Sequence, residues 1–414
     1  MDERNNQRER KKRVLRQSMI DTATVQTEEE GQDYERKLKE HRRKKRSIIL
    51  ILVLALALLV FFIWNYMKNK TFTSYKTINE VSVAEGSTSE YVSYRDGVIK
   101  YSKDGMSYLN SAGETVWNQA YDMKDPVVAV CGDFVAAADR MGYALCICGS
   151  DGGTGAAATT LPLTRISISE QGVLAVILED STSSYITLYD KSGAKLDIEI
   201  KALLDKSGYP VDIALSPNGQ IMAVAYVYLN QGTMLNQVVF YNFNEEGKEY
   251  VDRVVGGFKE YKETMIGEID FLSDEVACVF ADSQIDFYSL KKSDEPSLLK
   301  SCPVETEMQS VFSGEGYGGI LTASKDGDTD ETLTVYSASG DTIFTKTIPF
   351  HCVRAEFSKN GVLLYDESQC MLLNKRGKVR YQGELDGSIV KLVQLSDGDF
   401  MQIGETSIKR VTLR

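Results

Sequence analysis

The carboxylates with metal-ligand spacing in this chain are Asp326, Asp328 and Asp330, in the run KDGDTDE. Acids at positions one, three and five open a calcium loop, which also needs a glycine at position six and a bidentate glutamate at position twelve. Here position six is Glu331 and position twelve is Ser337. The segment is expected to be a solvated hairpin tip, with Asp326, Asp328 and Asp330 kept as a weak calcium candidate. The seven cysteines are Cys131, Cys146, Cys148, Cys278, Cys302, Cys352 and Cys370. An odd number leaves at least one unpaired. Cys146 and Cys148 stand two apart on an apolar run, so they share one face of a strand and make a poor mutual disulfide and a weak metal pair. Most of the seven are expected as buried thiols, behaving as small hydrophobes.

Of the two histidines only His351 follows residue 70. Multi-histidine zinc centres need more than that, and a Ser–His–Asp arrangement would have a single candidate base. His351, between Phe350 and Cys352, is expected to be structural. No nucleophile-elbow, zincin, Walker or dinucleotide fingerprint occurs. The run GSDGGTGAAA (149–158) does not lead from a strand into a helix as phosphate cradles do, and is expected to be a hairpin loop. Tyr226, Tyr228 and Tyr241 are read as strand-packing residues. No catalytic residue, cofactor site or firm metal site is assigned, and an enzyme is the less favoured class.

The elements that would carry any such groups are short. From Thr71 onward, apolar runs of four to eight residues alternate with turn phrases such as SEQG (169–172), SPNG (216–219), SASG (337–340) and NKRG (374–377). Glycine in these phrases supplies the φ > 0 position of a hairpin turn. Only Ile200–Ser207 reads as a short helix. First strands are placed near Tyr91, Val127, Thr164, Val211, Ile266, Met308, Val353 and Ile389, spaced by 36 to 55 residues, the repeat length of four-stranded propeller blades. Runs such as VLAVIL and IMAVAYVYL are apolar on both faces, as strands sandwiched between neighbouring blades must be. The last unit, 389–414, holds three strands, so the segment 75–83 is expected to supply its fourth and close the ring. The fold expected is all-β, an eight-bladed β-propeller over 71–414, with seven blades as the alternative.

Ahead of it, Ile48–Trp64 contains no polar side chain. Seventeen residues at 1.5 Å each span roughly 26 Å, close to the hydrocarbon core of a bilayer. Arg42, Arg43, Lys44, Lys45 and Arg46 precede this run, whereas only Lys68 and Lys70 follow closely. The positive-inside rule then predicts a signal anchor over 47–67, a cytoplasmic tail over 1–46 and an extracytoplasmic C-terminal part. The tail, expected to be largely disordered or partly helical, carries a net +5 and the remainder −17. The acidic balance excludes nucleic acid as a partner of the C-terminal part. Residues 48–64 are assigned to membrane lipid, and Arg10, Lys11, Lys12 and Arg13 are candidates for anionic headgroups. Thr22, Thr24 and Thr27, before Glu28–Glu30, are candidate phosphorylation positions.

This layout, with turn phrases such as LYDKSG and SPNG, resembles the quinoprotein-type eight-bladed propellers. It resembles more closely uncharacterised proteins of Gram-positive anaerobes that combine a basic tail, one membrane helix and an extracytoplasmic propeller. The closer resemblance implies no activity and no functional residue; the quinoprotein enzymes hold a quinone and a calcium ion, for which no matching constellation of residues occurs in this sequence. The expected function is a membrane-anchored binding or scaffolding module of the cell envelope, with an envelope protein as partner. The alternatives are an envelope enzyme using carboxylates on polysaccharide or peptide, and a sensor coupling an outside ligand to a cytoplasmic partner.

Overall fold

In the computed structural model the chain divides into two units, Met1–Lys70 and Thr71–Arg414. The structure describes residues 2–82, 89–204, 207–259, 261, 264–323 and 330–414. In the first unit Asp2–Asn69 is one α-helix, α1. Within it Lys44–Phe62 is long and apolar enough to cross a membrane. Arg10, Lys11, Lys12 and Arg13 are exposed on α1, and the side chains of Thr22, Thr24 and Thr27 lie outside the described residues.

The second unit is an eight-bladed β-propeller. Among the described residues, thirty-two strands, β1–β32 in chain order, form eight antiparallel four-stranded sheets. The first strands are β2 (Glu90–Tyr94), β6 (Pro126–Cys131), β10 (Leu163–Ile168), β14 (Tyr209–Leu215), β18 (Ile266–Ser273), β22 (Met308–Gly314), β26 (Arg354–Ser358) and β30 (Lys391–Gln394). These begin within two residues of the starts read from the sequence, because the turn phrases and the two-sided apolar runs are local signals. First strands of successive blades neighbour one another, β26 and β30 through the Glu356–Lys391 pair, so the eight together line the ring's axis.

The ring is closed in an offset manner. The eighth sheet has the order β1-β32-β31-β30. Its outer strand β1 (Tyr75–Ser82) pairs antiparallel with β32 (Ser407–Leu413), from Tyr75 opposite Leu413 to Ser82 opposite Ser407. Just before it, the Phe72 amide donates to the Arg380 carbonyl at 2.6 Å and the Thr73 amide to that of Arg414 at 2.9 Å.

Eight hydrophobic clusters lie among the described residues, one at each blade junction. The junction that completes the ring is Val98 and Leu109 of blade one against Val393, Leu395, Met401, Ile403 and Ile408 of blade eight. A middle strand therefore buries both faces: all six residues of β19 (Val276–Ala281) are buried. That is why these runs read as apolar throughout.

Two readings are corrected. The helix expected over Ile200–Ser207 gives way to a strand: β13 (Lys195–Leu203) takes its first four residues and pairs with β12 (Ser183–Tyr189). Its KLDIEI alternation has a period of two, which a rim strand needs, and this overrides the helix propensity of KALL. The run 149–158 is only half loop, since Thr154–Ala158 forms β9, the outer strand of blade two. Small residues there serve packing. A Cβ on Gly155 would sit 2.3 Å from the Ser192 carbonyl carbon of the next blade.

Candidate functional site

Polar groups on the inner strands face one another across two arcs of the ring. On one arc, Arg165 of β10, Asp212 of β14, and Glu268 and Asp270 of β18 come together although nearly fifty residues or more separate each strand from the next. The Asp212 carboxylate accepts the Ile269 amide of the following blade at 2.8 Å, and Arg165 Nε lies 3.9 Å from its other oxygen. Asp270 accepts its neighbour's amide, Phe271, at 2.8 Å and the Ser313 hydroxyl of β22. Ser167 of β10 accepts the Leu215 amide of β14 at 2.9 Å. On this arc β10, β14 and β18 thus each tie themselves to the next inner strand with a short polar side chain.

The opposite arc joins three blades. Glu356 of β26 accepts hydrogen bonds from Ser93 of β2 at 2.9 Å, from Tyr365 at 3.1 Å and from the Lys391 ammonium of β30. Lys391 is 5% exposed. Burial pulls its pKa below the usual lysine value, against the opposing pull of Glu356.

The acidic arc has the protonation properties of a site. Burial raises Asp212 to about 6, against backbone hydrogen bonds that favour the carboxylate. Burial, then the like charges of Asp212 and Asp270, raise Glu268 to about 7. Burial also raises Asp270. Glu268 is wetted despite the protein crowded around it, so water screens its shift more than that of Asp212, whose side chain is 17% exposed. Carboxyls poised near neutrality can exchange protons with a bound molecule, and Arg165 offers a fixed positive charge beside them. Among the described residues no group of three or more His, Cys, Asp or Glu is placed to hold a metal ion.

These shifts predict a pH dependence. Between about pH 4 and pH 7 the folded chain keeps protons on Asp212 and Glu268 that the unfolded chain has released. Their contribution to stability is therefore present at acid pH and lost as pH rises through that window. Asp212→Asn, which can still accept the Ile269 amide, is expected to raise stability at pH 7.5 by about 1–3 kcal/mol and by clearly less at pH 4.5. Melting curves of both proteins at the two pH values check this; an equal shift at both would refute it.

The residues singled out in the sequence lie elsewhere. Asp326 and Asp328 of the calcium candidate fall outside the described residues, and Asp330 is half-buried just before β24 (Glu331–Ser337). His351 lies in the link between blades six and seven, its Nδ1 2.6 Å from the buried Glu331 carboxylate, which also accepts the Cys352 amide at 3.1 Å. All seven cysteines are free; six are buried and Cys131 is half-buried. Tyr226 and Tyr241 are buried and share a hydrogen bond at 2.8 Å. The axial residues were missed, although one signal was present: a charge inside an otherwise apolar first strand, as in RISIS, VDIALS, EIDF, VRAEFS and VKLVQ.

Residues 68–413 match the sequence model of a family described as a family of unknown function, DUF5711. No curated protein matches the sequence significantly. Among solved structures, the chain is similar to BamB from Moraxella catarrhalis, at 10% identity and a TM-score of 0.51, over 82% of this chain and 100% of that one. It is similar to Sqt1 from Chaetomium thermophilum at 14% identity and a TM-score of 0.51, over 83% and 96%. It is also similar to the quinohemoprotein alcohol dehydrogenase ADHIIG from Pseudomonas putida HK5, at 10% identity and a TM-score of 0.52, over 82% and 76%. At these identities the likeness concerns the propeller fold.

Proposed function

The chain belongs to this family of unknown function, DUF5711, and we propose that it is a membrane-anchored propeller that binds or scaffolds a protein partner in the cell envelope. One observation carries the reading: a closed ring of eight blades follows an apolar helix in the same chain. A ring whose polar axial residues are spent largely on tying blades together is a rigid platform, and its loops are free to present a surface. The propeller likeness to BamB and Sqt1 supports this class. Crosslinking in cells, comparing the full chain with residues 1–70 alone, tests it. Crosslinked species that require residues 71–414 are expected; the same species from the helix alone would defeat the reading.

The basic run Arg42–Arg46 argues for an N-terminus in the cytoplasm and a propeller outside. A thiol reagent that cannot cross the membrane is then expected to label Glu275→Cys in intact cells and to spare Gln17→Cys. Both positions are exposed. Labelling of the second alone would reverse the orientation.

A second reading, an envelope enzyme acting on polysaccharide or peptide, is favoured by the raised Asp212 and Glu268. A glycosidase would use one such carboxyl as acid and a second as base or nucleophile. Turnover of purified wall polysaccharide that Glu268→Gln abolishes would establish it.

A further inference from the structure

Blade four differs from the others at one loop. Its middle hairpin, β15 (Ile221–Asn230) and β16 (Thr233–Asn242), outruns both flanking strands. β14 pairs only as far as Val227, and β17 (Val254–Phe258) only from Val238. Tyr228–Leu235 therefore stands beyond the sheet as a two-stranded ribbon, turned by Gln231 and Gly232 at φ 51° and 85°. Leu229 lies opposite Met234, and the two are 73% and 53% exposed. Asn236, on the same face, donates to Thr264 O at 2.9 Å and reaches Met265 Sδ at 3.6 Å, so Met265, 44% exposed, extends the patch.

Charge sets this loop apart. No charged residue occurs between Asp212 and Glu245. The corresponding turns of the other blades carry Lys103–Asp104, Arg140, Asp180, Asp282, the run 325–330, Asp366–Glu367 and Glu405. Exposed ribbons usually carry a charge to prevent strand addition. Among the described residues no strand pairs with the outer edges of this ribbon, and it presents an apolar face instead.

We propose that the ribbon Tyr228–Leu235 is a docking element for an extended protein segment that alternates apolar and basic residues. This rests on the binding-module reading. Strand addition supplies main-chain hydrogen bonds, the Leu229–Met234–Met265 patch takes the apolar side chains, and flexible methionines accommodate their shape. Charge selects the occupant. The neighbouring turns place Asp180 and Asp282 to either side, and residues after 46 carry a net −17. A second copy of the propeller and an anionic bilayer would both be repelled, whereas lysines and arginines are attracted.

The test uses the full chain in detergent and a fluorescein-labelled peptide alternating leucine and lysine. Saturable binding is expected, weakened about tenfold or more by Leu229→Ser/Met234→Ser. The melting temperature should not change, since both side chains are exposed. Asp180→Asn is expected to weaken binding at low salt only. Equal affinity for the double variant, or equal binding of a leucine–glutamate peptide, overturns the proposal. So does hairpin-dependent dimerisation, or hairpin-dependent binding to phosphatidylglycerol vesicles. In cells, a crosslinked partner retained by the double variant overturns the ribbon's role and leaves the module reading standing.

Discussion

Deleting Tyr75–Ser82 from the full chain is expected to lower the melting temperature of the propeller by about 10 °C and to cause aggregation. The strand makes seven residue pairings with β32. Its backbone hydrogen bonds contribute roughly 0.5–1.5 kcal/mol each. Tyr75 and the preceding Phe72 also pack on the cluster shared by blades seven and eight, and the Tyr75 hydroxyl accepts the Asp386 amide at 2.8 Å. A combined loss of about 5 kcal/mol is a large part of a typical stability of roughly 5–15 kcal/mol. The bared edge of β32 would offer itself to other chains. Adding a peptide of residues 71–82 should restore the transition, because it refills the same edge. A deletion variant that melts like the intact protein and stays monomeric would show that this strand does not hold the ring shut.

The second large effect lies at the axis. Glu356→Ala leaves Lys391 buried with no carboxylate partner, and breaking a buried pair from one side costs about 3–5 kcal/mol. Lys391→Met should cost less. It removes the cation, and Glu356, 26% exposed, keeps the Ser93 and Tyr365 hydroxyls. Glu356→Gln/Lys391→Met is expected within about 1 kcal/mol of the parent, since neither member then carries a buried charge. The Glu356→Ala defect should shrink as pH rises toward 10. Burial already lowers the Lys391 pKa, so the folded state sheds that proton before the unfolded state does, and stability gains with pH. Denaturant midpoints of the cycle at pH 7 and pH 10 decide this; strictly additive single effects would mean that the pair is not coupled.

Much of the architecture is legible in the sequence. Turn phrases such as NKRG and SPNG are local, since a glycine at positive φ is demanded within four residues: Gly377 has φ 75° and Gly219 has φ 67°. Two-sided apolar runs reveal a strand covered by neighbours on both sides, and their recurrence marks eight units. The apolar run at 48–64 and the basic residues before it need only composition to be read. Where local signals competed, the reading slipped. KALLDKSG looks helical in isolation, yet β12 recruits its first half as a rim strand. GSDGGTGAAA looks like a loop, yet its small residues let β9 press against the backbone of blade three.

The convergence of the axial residues was decided by tertiary structure. Asp212, Glu268 and Asp270 each interrupt an apolar first strand, a signal the sequence carries, but nothing in their spacing shows that they meet. They meet because closing the ring aligns the first strand of every blade around one axis. Burial there raises all three, and like charges close by add to the shift of Glu268 and, as the smallest cause, of Asp212. Glu356 and Ser93 stand 263 residues apart and touch only because blades seven, eight and one adjoin. The apolar ribbon of blade four followed the same logic. Its missing charges were visible in the sequence, but its exposure was not, because only the lengths of the flanking strands leave Leu229 and Met234 beyond the sheet. Periodicity acts over a few residues and survives in the sequence; convergence acts across the ring and exists only once the ring has closed.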